Sequence, residues 1–441
     1  MADKPGVLHR LASLTLLCLL AACVDWPEPP PDQTFTEDEL AILRTELGTL
    51  PELPPDPTNR VDEDPRAIAL GQKLFFDPRY SENDQISCAT CHAPDMAFQD
   101  DRAPTSLGLA YTGRHAPTVI NAAYSMNSRT WANWMFWDGR ADSIWGQALG
   151  PPESRVEMGG SRLGIIYFLD RYYRDEYEAV FGPLPPLFDE EGEPLYPTAG
   201  MPSEAAWDDL DESTKQLLNG VYVGFGKAIS AYERRIVSRN ARFDAFITEI
   251  IDGADDSDVL TAEEKLGLKV FIGDGLCIAC HKGPNFSDAR FRNIGLAQVG
   301  EHVPAEDEGR AAGIRNVIDS PFNCAGPFSD HPDKSTCAVV DLEMSDRARA
   351  LGTFKTPTLR DVSRSAPYGH TGGLATLEDV IELYDRGGDE PGTYQGDLHP
   401  KVRPLGLTEE EKAALVVFLR TLDGEPLEPS LHIRPQLPMG D

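Results

Sequence analysis

The sequence predicts a mostly α protein built of two units in tandem, with long irregular loops. A five-residue pattern, Cys-x-x-Cys-His, occurs twice, at 88–92 and at 277–281. An amphipathic stretch, apolar at three-and-four spacing, precedes each copy, at 66–76 and 260–271. Each stretch then enters a Gly/Asp-rich turn before the cysteines. Of the 441 residues, 41% are hydrophobic and 25% charged, which suits a soluble globular body and excludes a fibrous, disordered or polytopic membrane chain. Forty Lys+Arg against 72 Asp+Glu leave a net charge of −32. That balance argues against nucleic acid, whose phosphates call for clustered cations. It favours basic partners, or serves solubility alone.

The elements follow in order. Lys4 and Arg10 flank a start segment in which residues 11–20 are an apolar run of signal-peptide length, too short to span a bilayer. The run ends Ala21-Ala22-Cys23, which resembles a bacterial lipobox. Residues 1–23 are therefore expected to be a lipoprotein signal, cut before Cys23, whose thiol and new amino group take lipid. Val24 follows rather than Asp, which favours the outer membrane of a Gram-negative cell with the body facing the periplasm. Contact with the membrane would be through the lipid only. Residues 24–58, rich in Pro and acid, read as a tether with one helical patch at 36–47. Residues 59–255 form the first unit, which ends in a long helix over 221–251 and an acidic break at 252–258. Residues 256–430 form the second, opened by a capping box of Thr261 with Glu264.

There are eight cysteines. Cys18 lies in the removed segment and Cys23 carries lipid. Cys88, Cys91 and His92, and again Cys277, Cys280 and His281, match the c-type haem attachment motif. Two thiols at this spacing form thioethers to the two vinyl groups of one haem, and the next residue supplies the proximal nitrogen to iron. A zinc site would want four ligands close in space, and a redox pair needs no His. Two copies in one exported chain favour two covalent haems, so the units read as two cytochrome c-like haem domains. Cys324 and Cys337 remain in a Pro/Gly/Asp-rich loop. An oxidising compartment favours a disulfide between them over two free thiols.

Further stretches then fall into line: Leu-Phe-Phe-Asp-Pro-Arg at 74–79, Arg-His-Ala-Pro-Thr-Val-Ile-Asn at 114–121, Trp-Asp-Gly-Arg at 137–140, Val-Glu-Met-Gly at 156–159, and 354–360 through His370. Spread over residues 60–425, they resemble the bacterial dihaem cytochrome c peroxidases and their relative MauG, the maturase of methylamine dehydrogenase. The resemblance implies that hydrogen peroxide reacts at the N-terminal haem, with electrons supplied through the C-terminal haem from a small donor protein. It places Arg114, Trp137 and Gln147 at the reacting end. One alternative is MauG-like oxidation of a partner protein's side chains. From another class comes a dihaem electron-transfer cytochrome without peroxide chemistry.

The resemblance also points to departures. Where many of these peroxidases carry a His that blocks the first iron, this chain has Leu109, which cannot ligate. The first haem is expected to be five-coordinate and ready without prior reduction, with His115 close by as the alternative blocker. The family's acid–base Glu, a few residues past Trp-Asp-Gly-Arg, matches Gly146, with the non-titrating Gln147 after it. Asp142, Glu153 and Glu157 are the carboxylates nearby. At the second haem, Leu377, Val380, Ile381 and Tyr384 share one helical face. Classical peroxidases carry Met where Tyr384 stands, and MauG carries Tyr as an axial ligand. Sulfur favours reduced iron, and phenolate oxygen favours oxidised iron. A core role for Tyr384, with another ligand such as Met344, is the alternative. The family also places calcium between the domains, here at the backbone of Ser365 and Pro367. His115 stands where Asn completes that site, and it is a poor ligand for a hard cation. Trp131, Trp134, Trp137 and Trp145 could relay holes or pack around the haems.

Overall fold

The computed structural model describes residues 34–439 apart from 101, 103 and 126–130. The signal, the lipobox with Cys23 and the start of the tether lie outside the described residues. Helices of eight or more residues run at Glu37–Glu46, Pro65–Phe76, Arg162–Phe181, Glu212–Glu233, Arg242–Ile251, Ala262–Ile272, Arg310–Asp319, Leu377–Asp385 and Glu409–Arg420. Among the described residues, sheet is confined to a short antiparallel ladder, Phe291–Arg292 against Phe354–Lys355, with Phe291 opposite Lys355.

Local chemistry explains where the helices start. Asp64 accepts from the Arg66 amide, and Pro65 sits where a missing N–H costs nothing. Thr261, Thr376 and Thr408 open their helices as capping boxes with Glu264, Asp379 and Glu411. Each pair satisfies two backbone donors that the first turn would otherwise leave bare.

Two main apolar cores form. The first gathers Leu70, Leu74 and Phe75 with Ile166, Leu169, Tyr222, Phe225 and Ile229. The second gathers Leu268 and Phe271 with Phe243, Phe246, Leu415 and Phe418. In each, the helix before the Cys-x-x-Cys-His pattern crosses another helix at a glycine. A methyl group at Gly71 would strike the Ala228 carbonyl, and one at Gly267 the Ala414 carbonyl. The lack of a side chain lets the backbones touch, and the same device serves both cores. Cys324 and Cys337 are joined by a disulfide, with Cα atoms 5.7 Å apart, in a smaller cluster with Trp134 and Val317.

The chain departs from the sequence expectations in three places. First, the Glu37–Glu46 helix is not part of a tether: Leu40, Leu43 and Leu47 are buried in the second core. Arg44 ties it there, donating to the Ile250 and Ala254 carbonyls at 2.9 Å each. Second, the helix expected over 221–251 is two helices, broken after Glu233. At the break, buried Arg234 pairs with Asp62 at 3.1 Å. The second piece joins the second core, so the two cores part between Ile236 and Phe243, ahead of residue 255. Third, the C-terminal segment returns to the first core. Leu427 and Leu431 pack on it, and the Tyr232 hydroxyl donates to the Leu431 carbonyl at 2.6 Å. No described helix is long and apolar enough to cross a membrane.

Candidate functional site

The two Cys-x-x-Cys-His segments fold alike. Each is a single tight turn in which the His amide returns to the first cysteine: His92 to Cys88 and His281 to Cys277, both at 2.9 Å. Each imidazole then meets the carbonyl of a buried phenylalanine through Nδ1, His92 with Phe98 at 3.3 Å and His281 with Phe286 at 2.9 Å. Both phenylalanines adopt the left-handed conformation, at φ of 54° and 49°, which costs roughly 1 kcal/mol or more and turns the carbonyl towards the ring. With Nδ1–H committed as donor, Nε2 carries the free lone pair that a metal takes. Burial holds both rings neutral, lowering His92 below its ordinary value and His281 to about 4.

Both motifs open into one cavity of about 970 Å³, lined by Cys88, Cys91, His92, Cys277, Cys280, His281 and Tyr384 among others. That is the top of the range of ordinary single-ligand sites, roughly 300–1,000 Å³. Burial pushes the Cys88 and Cys277 thiols up to about 12, far from the stabilised thiolate that a redox cysteine or a zinc ligand needs. Among the described residues, the one group of His, Cys, Asp or Glu side chains close enough to share a metal ion is Cys324, His331 and Cys337, and its cysteines are already bonded together. The donors therefore fit a c-type haem at each motif: two uncharged thiols, an imidazole with Nε2 free, and an open space beside them.

The neighbours of the first motif sort the carboxylates. Glu157 lines the cavity, and its charge acts on the Cys91 thiol. Burial raises its pKa, and the Arg140 guanidinium opposes the rise. Asp142 is buried elsewhere, accepting the Cys324 amide at 3.0 Å, and burial pushes it up to about 7. Glu153 is paired with Arg162 through contacts of 2.7 and 2.9 Å. Neither lines the cavity, whereas Gln147 does. Leu109 packs against Gly159. His115 lines the cavity; its Nε2 lies 3.0 Å from Gln99 Oε1, while its Nδ1 is buried without a partner, so one ring nitrogen remains free to meet an iron.

Arg114 lines the cavity, but its guanidinium is spent on Asp138 and Asp307, each at 2.7 Å. It clamps two loops rather than offering a free charge. Trp137 lies between the halves. Its indole N–H donates to the His115 carbonyl at 2.8 Å, its own carbonyl accepts from the Lys355 amide at 2.7 Å, and its ring meets His370 edge-on at 6.4 Å. The four tryptophans do not form one cluster: Trp145 sits in the first core with its N–H on Thr58, and Trp131 and Trp134 surround the disulfide.

At the second motif, Tyr384 lines the cavity, and the Cys280 and Cys277 thiols act on its hydroxyl after burial, which pushes its pKa up. Among the described residues that hydroxyl has no hydrogen-bond partner. Met344 is 48% exposed and does not line the cavity. The expected calcium position offers the Ser365 and Pro367 backbone at the cavity wall, with a nitrogen where an oxygen would complete the set. His115 offers nitrogen, of which Nε2 meets Gln99, and the Gln99 amide donates to the Ala366 carbonyl between Ser365 and Pro367. A hard cation wants six or more oxygens.

Sequence reasoning missed four cavity residues. His370 is buried and stacked on Phe354 at 3.6 Å, and burial pulls it down to about 3. Lys355 donates to the Trp134 carbonyl at 2.8 Å, and burial pulls it down to about 8. Glu233 is buried with Oε2 unpartnered. Arg292 pairs with Asp288 at 2.5 Å. Lys355 and His370 stand inside a stretch already marked by its similarity. Nothing local distinguishes Glu233 or Arg292.

A family model described as di-haem cytochrome c peroxidase matches residues 65–250. Cytochrome-c peroxidase IdrP1 of Denitromonas iodatirespirans is 30% identical over 401 residues, 89% of each chain. The methylamine utilization protein MauG of Methylorubrum extorquens is 29% identical over 404 residues, 91% of this chain and 90% of that one. The crystal structure of a MauG-like protein associated with microbial copper homeostasis superposes with a TM-score of 0.59 at 24% identity, covering 88% of this chain and 98% of that one, a likeness of fold. A relative matched along almost nine-tenths of both chains leaves one reading of the duplicated motif: this chain belongs to the dihaem cytochrome c peroxidase/MauG family.

Proposed function

We propose that the protein is a peroxidase in which hydrogen peroxide reacts beside His92, while electrons pass by way of His281 and Tyr384. The observation that carries this is the shared cavity: its first half presents Glu157 and Gln147, and its second an unpartnered tyrosine hydroxyl. Bound at both motifs, the haems would supply the iron for two-electron reduction of peroxide to water. The chain's own residues handle protons and position. Glu157 takes a proton from the near oxygen of peroxide and returns it to the far, leaving oxygen. Burial favours the protonated form, and Arg140 keeps the carboxylate within reach of it. Gln147 does not titrate and orients the peroxide by hydrogen bonding. Leu109, packed on Gly159, offers no ligand to the first iron.

Tyr384 supports a second reading. The Tyr384 oxygen, if it held the iron, would lower its potential relative to sulfur. A low potential suits oxidation of a partner protein's side chains, in the manner of MauG, better than rapid turnover with a small donor. The net charge of −32 suits a basic partner in either case. Acylation of Cys23 would hold the body at the outer membrane, facing the periplasm.

Absorption and EPR spectra of the oxidised holoprotein, followed by a peroxide titration, test the proposal. One high-spin and one low-spin haem, reacting without prior reduction, are expected. Two low-spin haems that ignore peroxide would overturn it.

A further inference from the structure

A line of aromatic side chains leaves the first motif and ends on a carboxylate. The Tyr80 hydroxyl lies 3.5 Å from Cys88 Sγ, the sulfur that would bond to haem. The Tyr80 ring meets Phe168 edge-on at 5.5 Å, and Phe168 lies 5.4 Å from Tyr173. Tyr173, 1% exposed, donates to Asp77 Oδ2 at 2.8 Å. Asp77 is itself buried and held by Arg79 at 2.5 Å.

Tyr173 is the one tyrosine among the described residues whose hydroxyl donates to a carboxylate. Tyr80, Tyr177, Tyr222 and Tyr232 are also buried, and all donate to backbone carbonyls. The distinction matters because a phenol that loses an electron becomes a strong acid. The electron hole settles where a base can receive the proton, and a peptide carbonyl cannot. Neighbouring Tyr172 lies beneath the guanidiniums of Arg79 at 4.0 Å and Arg171 at 5.2 Å. Two guanidiniums oppose a positive charge on that ring more strongly than the single one, Arg79 at 5.8 Å, that lies over Phe168.

We infer that Tyr173 is a redox-active tyrosine that stores one oxidising equivalent drawn from peroxide. The inference rests on the reading that peroxide oxidises the centre held by His92. One electron passes from Tyr173, by way of Phe168 and Tyr80, to the group bonded at Cys88. It restores one of the two electrons that peroxide removed. The phenol proton moves along the hydrogen bond to Asp77, leaving a neutral tyrosyl radical. Arg79 stays protonated, and its side chain is 25% exposed, so water reaches the charge left on the pair. When a donor later returns the electron, the proton goes back from Asp77 to Tyr173. The oxidising equivalent is thus kept inside the first core while no donor is bound.

The test uses the holoprotein mixed with hydrogen peroxide in the absence of a donor, freeze-quenched for EPR, with haem absorption recorded in parallel. Protein labelled with ring-deuterated tyrosine identifies the radical. The expected result is an organic radical that narrows on deuteration, is lost in Tyr173→Phe and forms more slowly in Tyr80→Phe. The initial haem absorption change should be the same in all three proteins. Haem content and unfolding temperature check that Tyr173→Phe is folded, and Tyr80→Phe supplies an independent arm. An undiminished tyrosyl signal in Tyr173→Phe would overturn the inference, as would oxidised haem in the wild type with no tyrosyl signal. A haem spectrum that ignores peroxide would overturn the peroxide reading and this inference with it.

Discussion

Gln99 Oε1 lies 3.0 Å from His115 Nε2, and the amide nitrogen of the same Gln99 donates to the Ala366 carbonyl. This pair joins the loop after the first motif to the loop that leads to Tyr384 through direct hydrogen bonds. Calcium chelation should therefore leave the unfolding temperature and haem spectra of the holoprotein unchanged. Gln99→Ala should cost about 1–3 kcal/mol, the price of leaving a buried imidazole and a carbonyl unsatisfied. A calcium-dependent rise in the unfolding temperature of the wild type would refute this.

The unpartnered hydroxyl of Tyr384 leads to a spectroscopic prediction. Tyr384→Met should raise the potential of the second haem, since a thioether favours the reduced iron. Tyr384→Phe should leave that iron with His281 as its one protein ligand and change its spin state. Potentiometric titration and EPR read both. Two variants indistinguishable from the wild type would make Tyr384 a core residue.

Much of the site was legible in the sequence where covalent chemistry or local hydrogen bonding sets the spacing. Thioether attachment allows little freedom in Cys88-x-x-Cys91-His92 and its twin. The capping box of Thr261 with Glu264 is complete within four residues. Long-range partnerships were not legible. Asp142, Glu153 and Glu157 are near neighbours in the chain, yet the fold turns one to the Cys324 amide, gives one to Arg162 and leaves one in the cavity. The Glu37–Glu46 helix reads as an isolated patch because its partners, such as Ile250 and Ala254, lie some two hundred positions away. The helix break at Arg234 depends on Asp62, in a segment read as preceding the fold's main helices.

Glu157 should control the reaction with peroxide. Glu157→Gln keeps the shape and removes the proton acceptor, so the second-order rate should fall by about 10²–10⁴. The base must be ionised to act. Burial raises its pKa above the ordinary Glu value, so the wild-type rate should fall with decreasing pH at a higher pH than an exposed Glu would give. Stopped-flow absorption at several pH values measures this. A Glu157→Gln rate equal to the wild type would transfer the role to another group.

Glu233 gives a stability prediction with a definite sign. It is buried in the cavity wall with Oε2 unpartnered, and burial alone pushes its carboxyl up to about 8. No cation offsets that burial. In the unfolded chain the group would titrate near 4.3. Below about pH 4 both states hold the proton, and the group adds no pH-linked cost. Between about pH 4 and 8 the unfolded chain releases its proton while the folded chain keeps it, so stability falls as pH rises. Above about pH 8 both are ionised, and the loss is complete. Glu233→Gln has no such slope. The variant should therefore gain on the wild type with rising pH, by about 1–3 kcal/mol between pH 5 and pH 8, whatever fixed cost its amide adds. Denaturant unfolding of the two holoproteins at both pH values measures the difference. A difference independent of pH would mean that the folded carboxyl titrates near its unfolded value, because a cation or hydrogen-bond donor meets it once the cavity is filled.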